Sequence, residues 1–183
     1  MGLFSLQKLF FKSVRSITRE RWRPVSRPNV IEAEVGPYYA KVQHIIDGDT
    51  VIVSGPGYQN KIRLEGIDCP ELGQAWGKVA RYGLIKLIGG RPVRVEPKGI
   101  VDDYNRVIAT LYVDTGVNIG WLDVNARMVI LGHAWVLRRH EHHMTMARRS
   151  ELIRMESWAR NKKIGLWKDE VPIPPWEWRA NNR

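Results

Sequence analysis

Within residues 47–71 the chain carries Asp47, Asp49, Arg63, Asp68 and Glu71. Carboxylates offer only oxygen, so such a set suits a hard cation such as Ca²⁺ or Mg²⁺ and not zinc. An arginine among them supplies a planar fork that can hold a phosphate. Asp47-Gly48-Asp49 taken alone is ordinary turn chemistry. The company of Arg63, Asp68 and Glu71 makes it a candidate site.

The flanking residues say how these groups can meet. Thr50–Val53 and Lys61–Leu64 carry the β-branched and alternating residues of strands, with Ser54–Gly57 as the turn between them. A hairpin-like pair with acids at one end brings Asp49, Asp68 and Glu71 together although they are distant in sequence. Tyr39–Ile46 predicts a strand ahead of the acidic turn, and Pro92–Pro97 and Arg106–Val113 predict two more around a polar loop at 99–105. Gln74–Ile88 predicts a helix, with Trp76, Ala80, Gly83, Leu84, Leu87 and Ile88 on one face and Gly89-Gly90 as its stop. Five strands with a helix between the third and fourth fit a small OB-type barrel, hence an α+β fold. Met144–Lys163 predicts a long basic helix closing at Gly165-Leu166-Trp167, and residues 172–179 a Pro/Trp tail folded back on the barrel. With a short helix from Val124 towards Gly132, that makes about three helices. His133, His140, His142 and His143 read as a solvated basic loop, because no carboxylate or Cys partner has ligand spacing.

The phrases DGDTV (47–51) and RLEGIDCPE (63–71) resemble the staphylococcal nuclease (thermonuclease) family, and the likeness runs from about Tyr39 to Arg179. Residues 102–106 (DDYNR) are similar to its D-x-Y-G-R segment. Asn105 replaces the Gly, and Asn tolerates the same left-handed backbone. Asp103 stands where the family carries a phosphate-binding Lys, which weakens that subsite. Gly116–Asp123 reads as an insertion, and Val124-Asn125 through Ala134 resembles a segment in which Asn125 ties down backbone.

The resemblance implies a Ca²⁺-dependent endonuclease, a monomer that hydrolyses DNA and RNA and prefers single strands. It also implies roles. Asp49, Asp68 and the backbone carbonyl of Cys69 hold the cation, with Asp47 supporting them from behind. Arg63 and Arg106 grip the phosphate and stabilise the charge that builds on it. Glu71 orients or deprotonates the attacking water, and Tyr104 contacts the substrate. Cys69 replaces a frequent Thr or Ala, which is harmless where only the carbonyl is used. The presence of all five central side chains, Asp49, Arg63, Asp68, Glu71 and Arg106, favours an enzyme over the alternative, a catalytically inactive OB-fold module that binds single strands.

The formal net charge of +10 points to an anionic partner. The single cysteine, Cys69, excludes an intrachain disulfide. Much of the charge lies in an arm over residues 1–30, ahead of a domain over 31–183. Lys8, Lys12, Arg15 and Arg19 share one helical face, opposite Leu3, Leu6, Phe10, Val14 and Ile17. Through residues 1–23 such an arm can lie on an anionic membrane surface or serve as an organellar presequence; a disordered basic tail is the plainer reading. It makes a poor secretory signal, since Gln7 and Lys8 break the apolar run. A chain beginning near Ile31 is expected to unfold as cooperatively as the full chain. A broad, non-cooperative urea transition in the shortened chain would move the domain boundary.

Overall fold

The computed structural model of the protein describes residues 36–55, 58–116, 120–138 and 144–182. The arm, together with the membrane or targeting role expected of it, and His140, His142 and His143 lie outside the described residues.

Five strands close into a barrel. They are β1 (Tyr38–Ile45), β2 (Thr50–Gly55), β3 (Tyr58–Leu64), β5 (Pro92–Val101) and β6 (Val107–Asp114). The neighbours run β3-β2-β1-β5-β6, all antiparallel, and a parallel pairing of β3 with β6 closes the ring. Val51, Val53, Ile62, Leu64, Val93, Val95, Leu111 and Val113 fill the interior and are fully or almost fully buried. They alternate with more exposed residues such as Ile52, Arg63, Arg94 and Tyr112, as a closed small barrel requires. Helix α1 (Gly77–Ile88) plugs one side with Ala80, Leu84 and Ile88, and α2 (Val124–Ile130) packs beside it with Met128 and Val129. A two-residue strand β4 (Ile67–Asp68) pairs with β8 (Trp135–Val136), and β7 (Trp121–Asp123) extends the sheet beyond β6.

Several boundaries differ from the sequence expectation for identifiable reasons. Strand β5 runs through a bulge to Val101, so the polar loop shrinks to the turn before Arg106. Helix α1 begins at Gly77, because Gln74 and Gly77 donate backbone bonds to Glu71 and Gln74 and fold residues 71–76 into turns. Trp76 therefore sits before the helix in a left-handed conformation, φ 69°, and not on its apolar stripe. The later part of the expected insertion is β7, held against β6. The Pro/Trp tail contains a helix, α4 (Pro175–Asn181), with Pro at its first position where the missing N–H costs nothing. It follows α3 (Met146–Asn161) and a 3₁₀ turn (Gly165–Lys168), so the described residues hold four α-helices.

Two buried polar side chains fix these parts relative to one another. Asn125 is fully buried; its carbonyl accepts from the Leu111 N–H at 3.1 Å, and its amide donates to the carbonyls of Glu65 (3.1 Å) and Ala109 (3.3 Å). The role expected for it, tying down backbone, is what it does. Glu156 of α3 accepts the Val136 N–H at 2.9 Å and pairs with Arg138 at 2.6 Å. Because β8 in turn holds Asp68 opposite Trp135, this carboxylate helps set where Asp68 lies. Replacing Asn125 by Ala strands buried backbone groups, and each such loss is worth about 1–3 kcal/mol. Asn125→Ala is expected to destabilise the fold by roughly 2–4 kcal/mol, read from urea unfolding; a loss under about 0.5 kcal/mol, the scale of a surface change, would deny it this role.

Candidate active site

The closure of the barrel sets the site. In the β2/β3 register Thr50 lies opposite Arg63, and the parallel β3/β6 pairing sets Ile62 against Val107. Arg63 and Arg106 thus come from neighbouring strands at the same end of the barrel. Asp49, just before β2, and Asp68, on β4, meet Arg63 there. One guanidinium bridges both: Nη1 lies 3.1 Å from Asp49 Oδ1 and Nη2 2.9 Å from Asp68 Oδ1. The Cys69 N–H donates to Asp49 Oδ2 at 2.6 Å, and the Asp49 N–H to Asp47 Oδ1 at 3.0 Å. Gly48 allows this approach, since a Cβ on it would lie 2.6 Å from the Cys69 Cβ. Gly77 does the same for the turn carrying Glu71: a Cβ there would lie 1.8 Å from the Glu71 carbonyl oxygen.

A cavity of about 320 Å³ is lined by Asp47, Asp49, Arg63, Asp68, Cys69, Glu71, Tyr104 and Arg106, so every residue expected at the site reaches it. Lys61 and Arg179 line it as well. Arg179, from α4, is the group that the sequence reading missed: its Nη2 lies 2.7 Å from Asp68 Oδ2 and its Nη1 2.7 Å from Glu71 Oε1. No local spacing links it to them. Asp102 was also unassigned. Its carboxylate accepts from the Tyr104 and Arg106 N–H groups and pairs with the Arg106 side chain at 2.7 Å, so it aims that arginine. Asn105 in this turn has φ 56°, the left-handed backbone expected of it. Tyr104 is 74% exposed, with the Arg106 guanidinium 5.1 Å from its ring centroid.

Arg148, in the basic helix α3, is not a solvated surface charge. It is largely buried and pairs with Asp123 at 2.6 Å and Glu151 at 2.9 Å, clamping α3 to the start of α2.

The electrostatics follow from burial. Burial pushes the Asp49 carboxyl up, to about 7; Arg63 opposes this, while Asp47 and Asp68 add to it. Burial also opposes the charge on Arg63, but Asp49 and Asp68 outweigh it and hold the guanidinium protonated. Burial beside these acids raises the Cys69 thiol well above its usual value, so it remains a thiol. At Asp102 burial is outweighed by hydrogen bonds from Arg106, and its carboxyl is lowered.

Among the described residues no three His, Cys, Asp or Glu side chains gather into a ready-made metal site. The two acids joined by Arg63 nonetheless suit a hard cation by donor type. Asp49 and Asp68 give only oxygen, and a main-chain carbonyl, water and phosphate complete such shells elsewhere.

Residues 61–169 match the family model described as staphylococcal nuclease homologue. The chain belongs to the staphylococcal nuclease family. Among curated relatives it is 38% identical over 148 residues to protein ParB of Escherichia coli, covering 78% of this chain and 81% of that protein. To a micrococcal nuclease of Shigella flexneri it is 34% identical over 149 residues, 80% of this chain and 83% of the relative. A probable staphylococcal-like nuclease, CAN2, of Oryza sativa subsp. japonica is 36% identical over 123 residues; these are 67% of this chain and only 30% of the longer plant protein. The fold of this family member is the OB-type α+β barrel expected from its sequence.

The raised Asp49 gives a stability signature. Its folded value lies above the ordinary 3.8, so its contribution is full below about pH 4 and is lost as pH rises through about 7. Asn at this position does not titrate. In metal-free protein Asp49→Asn is therefore expected to gain on wild type by roughly 1–3 kcal/mol between pH 4.5 and pH 8. Urea unfolding in EDTA at the two pH values measures it; a difference that does not change with pH would contradict a buried, raised carboxyl.

Proposed function

We propose that this chain is a Ca²⁺-dependent nuclease that hydrolyses phosphodiester bonds of DNA and RNA, as a monomer and with a preference for single strands. The observation that carries the proposal is the convergence of Asp49, Asp68, Glu71, Arg63 and Arg106 on one cavity of a staphylococcal nuclease barrel.

A phosphodiester is an anion and repels nucleophiles, so the site must bring positive charge. Asp49, Asp68 and the Cys69 carbonyl would hold Ca²⁺, which when bound supplies Lewis-acid stabilisation to a phosphate oxygen. Asp47 steadies Asp49 through its backbone N–H. Arg63 neutralises the two acids in the metal-free chain and offers its fork to phosphate when they have another counter-charge. Arg106 has Nε and Nη2 fixed on Asp102, and Nη1, which makes a long contact of 3.5 Å to Thr50 Oγ1, is the nitrogen to meet the charge that develops on phosphate. Glu71, on the cavity wall and about one-third exposed, is the group to orient or deprotonate water. Exposed Tyr104 offers a ring on which an unpaired base can stack, which supports the single-strand preference. Asp103, next to it, works against a terminal phosphate.

The test is one kinetic series with the full chain on a short single-stranded oligonucleotide. Cleavage is expected with Ca²⁺ and none with EDTA; binding without cleavage under both conditions would favour the inactive OB-fold module. Arg63→Lys and Arg106→Lys cannot reproduce a planar fork and are each expected to lower turnover by about 10²–10³. Asp68→Asn should weaken Ca²⁺ binding in calorimetry. Near wild-type turnover in both folded Lys variants would refute this assignment.

A further inference from the structure

The C-terminal segment bears on the active site more closely than packing requires. Among the described residues, Arg179 is the partner of the Glu71 carboxylate, at 2.7 Å from Oε1. The same guanidinium grips Asp68 through Nη2 to Oδ2 at 2.7 Å and Nη1 to Oδ1 at 3.3 Å. Arg179 thereby spans one proposed cation ligand and the proposed water-orienting group. Its side chain is 38% exposed and lines the cavity.

Three further contacts fasten this segment to the same turn. Gln74 donates from Nε2 to the Ile173 carbonyl at 2.7 Å, while its Oε1 accepts the Glu71 N–H at 3.1 Å. The Trp76 indole donates to Asp169 at 2.8 Å. The Trp178 ring lies over Gly73, 3.6 Å from where a Cβ would stand. Residues 169–179 and the turn at 71–76 are thus joined at four points, and the innermost of them is ionic.

A Glu on an exposed turn beside Asp49 and Asp68 is repelled by its neighbours and has several rotamers open to it. A planar fork fixed on Asp68 at one edge and on Glu71 at the other removes both freedoms. We propose that Arg179 is a positioning residue for Glu71, which makes helix α4 part of the catalytic unit. The inference rests on the nuclease reading given above.

The test compares wild type, Arg179→Gln, Arg179→Lys, Glu71→Gln and the double variant Glu71→Gln/Arg179→Gln. Turnover and KM are measured on a short oligonucleotide at saturating Ca²⁺, and Ca²⁺ affinity by calorimetry. Misplacing a reacting group by about 1 Å can lower a rate about 10²-fold. Arg179→Gln is therefore expected to lower kcat by about 10–100-fold with KM within about threefold. Arg179→Lys, which can reach one acid at a time, should recover part of the loss. Since Arg179 acts through Glu71, the double variant should be no slower than Glu71→Gln alone, within about twofold. Ca²⁺ affinity should hold or tighten, because a positive charge beside Asp68 is gone, whereas structural damage would weaken it. Should Arg179→Gln fail to fold by circular dichroism, Arg179→Lys with and without Glu71→Gln carries the same comparison. Independent, multiplicative losses in the double variant would overturn the inference. So would unchanged or faster turnover with tighter Ca²⁺, which would make Arg179 a plug. An active wild type with either of those results sinks this inference alone; a wild type that cleaves nothing sinks the nuclease reading and this inference with it.

Discussion

The parallel pairing of β3 with β6 is the constraint on which the molecule depends. It is the pairing that turns an open antiparallel sheet into a ring, and it joins segments far apart in the chain. Without it Arg63 and Arg106 would lie on opposite edges of a sheet. With it they are neighbours, and the strand ends around them supply Thr50, Asp49 and the Asp102 turn. A sheet edge is a hazard in itself; here its closure also builds the cavity.

Closure at this point gathers charge in a place that burial makes unfavourable for it. The structure answers by giving each arginine an acid: Arg63 to Asp49 and Asp68, Arg106 to Asp102, Arg179 to Asp68 and Glu71. Breaking one side of such a pair leaves the other uncompensated, which is why the effects expected of single changes exceed those of surface charges. At the innermost position the pairing does not cancel the cost: burial raises the Asp49 carboxyl against the pull of Arg63, and Asp47 and Asp68 add to it. A stable barrel thus carries a locally unfavourable centre, as functional sites often do.

Much of this was legible in the sequence, because it is local or carried by family phrases. Alternation marks the barrel strands, and Asp49, Arg63, Asp68, Glu71, Tyr104 and Arg106 stand in compact motifs. What was not legible depends on tertiary distance or on chain reversal. Arg179 lies 111 positions from Asp68, beyond any periodic signal. Trp76 has helical spacing but is turned out of the helix by backbone bonds to Glu71 and Gln74. Arg148 reads as one more solvated charge in a basic helix, and only the approach of Asp123 gives it another role. The helix at 175–181 is short and Trp-rich, so it reads as tail; Pro175 at its first position was the available hint.

The tryptophans around the C-terminal segment have an optical consequence. Trp135 stacks edge-on with Trp167 and Trp176, at ring separations of 4.5 and 5.6 Å, and the Arg160 guanidinium lies over both Trp135 and Trp167. Trp76 bonds to Asp169 and Trp178 covers Gly73. Five indoles therefore report on one junction, with charged groups close enough to tune or quench their emission, while the barrel interior contains none. The protein carries its own fluorophores at the seam between tail and turn, so loosening of that seam is visible as a change in light while the barrel stays intact.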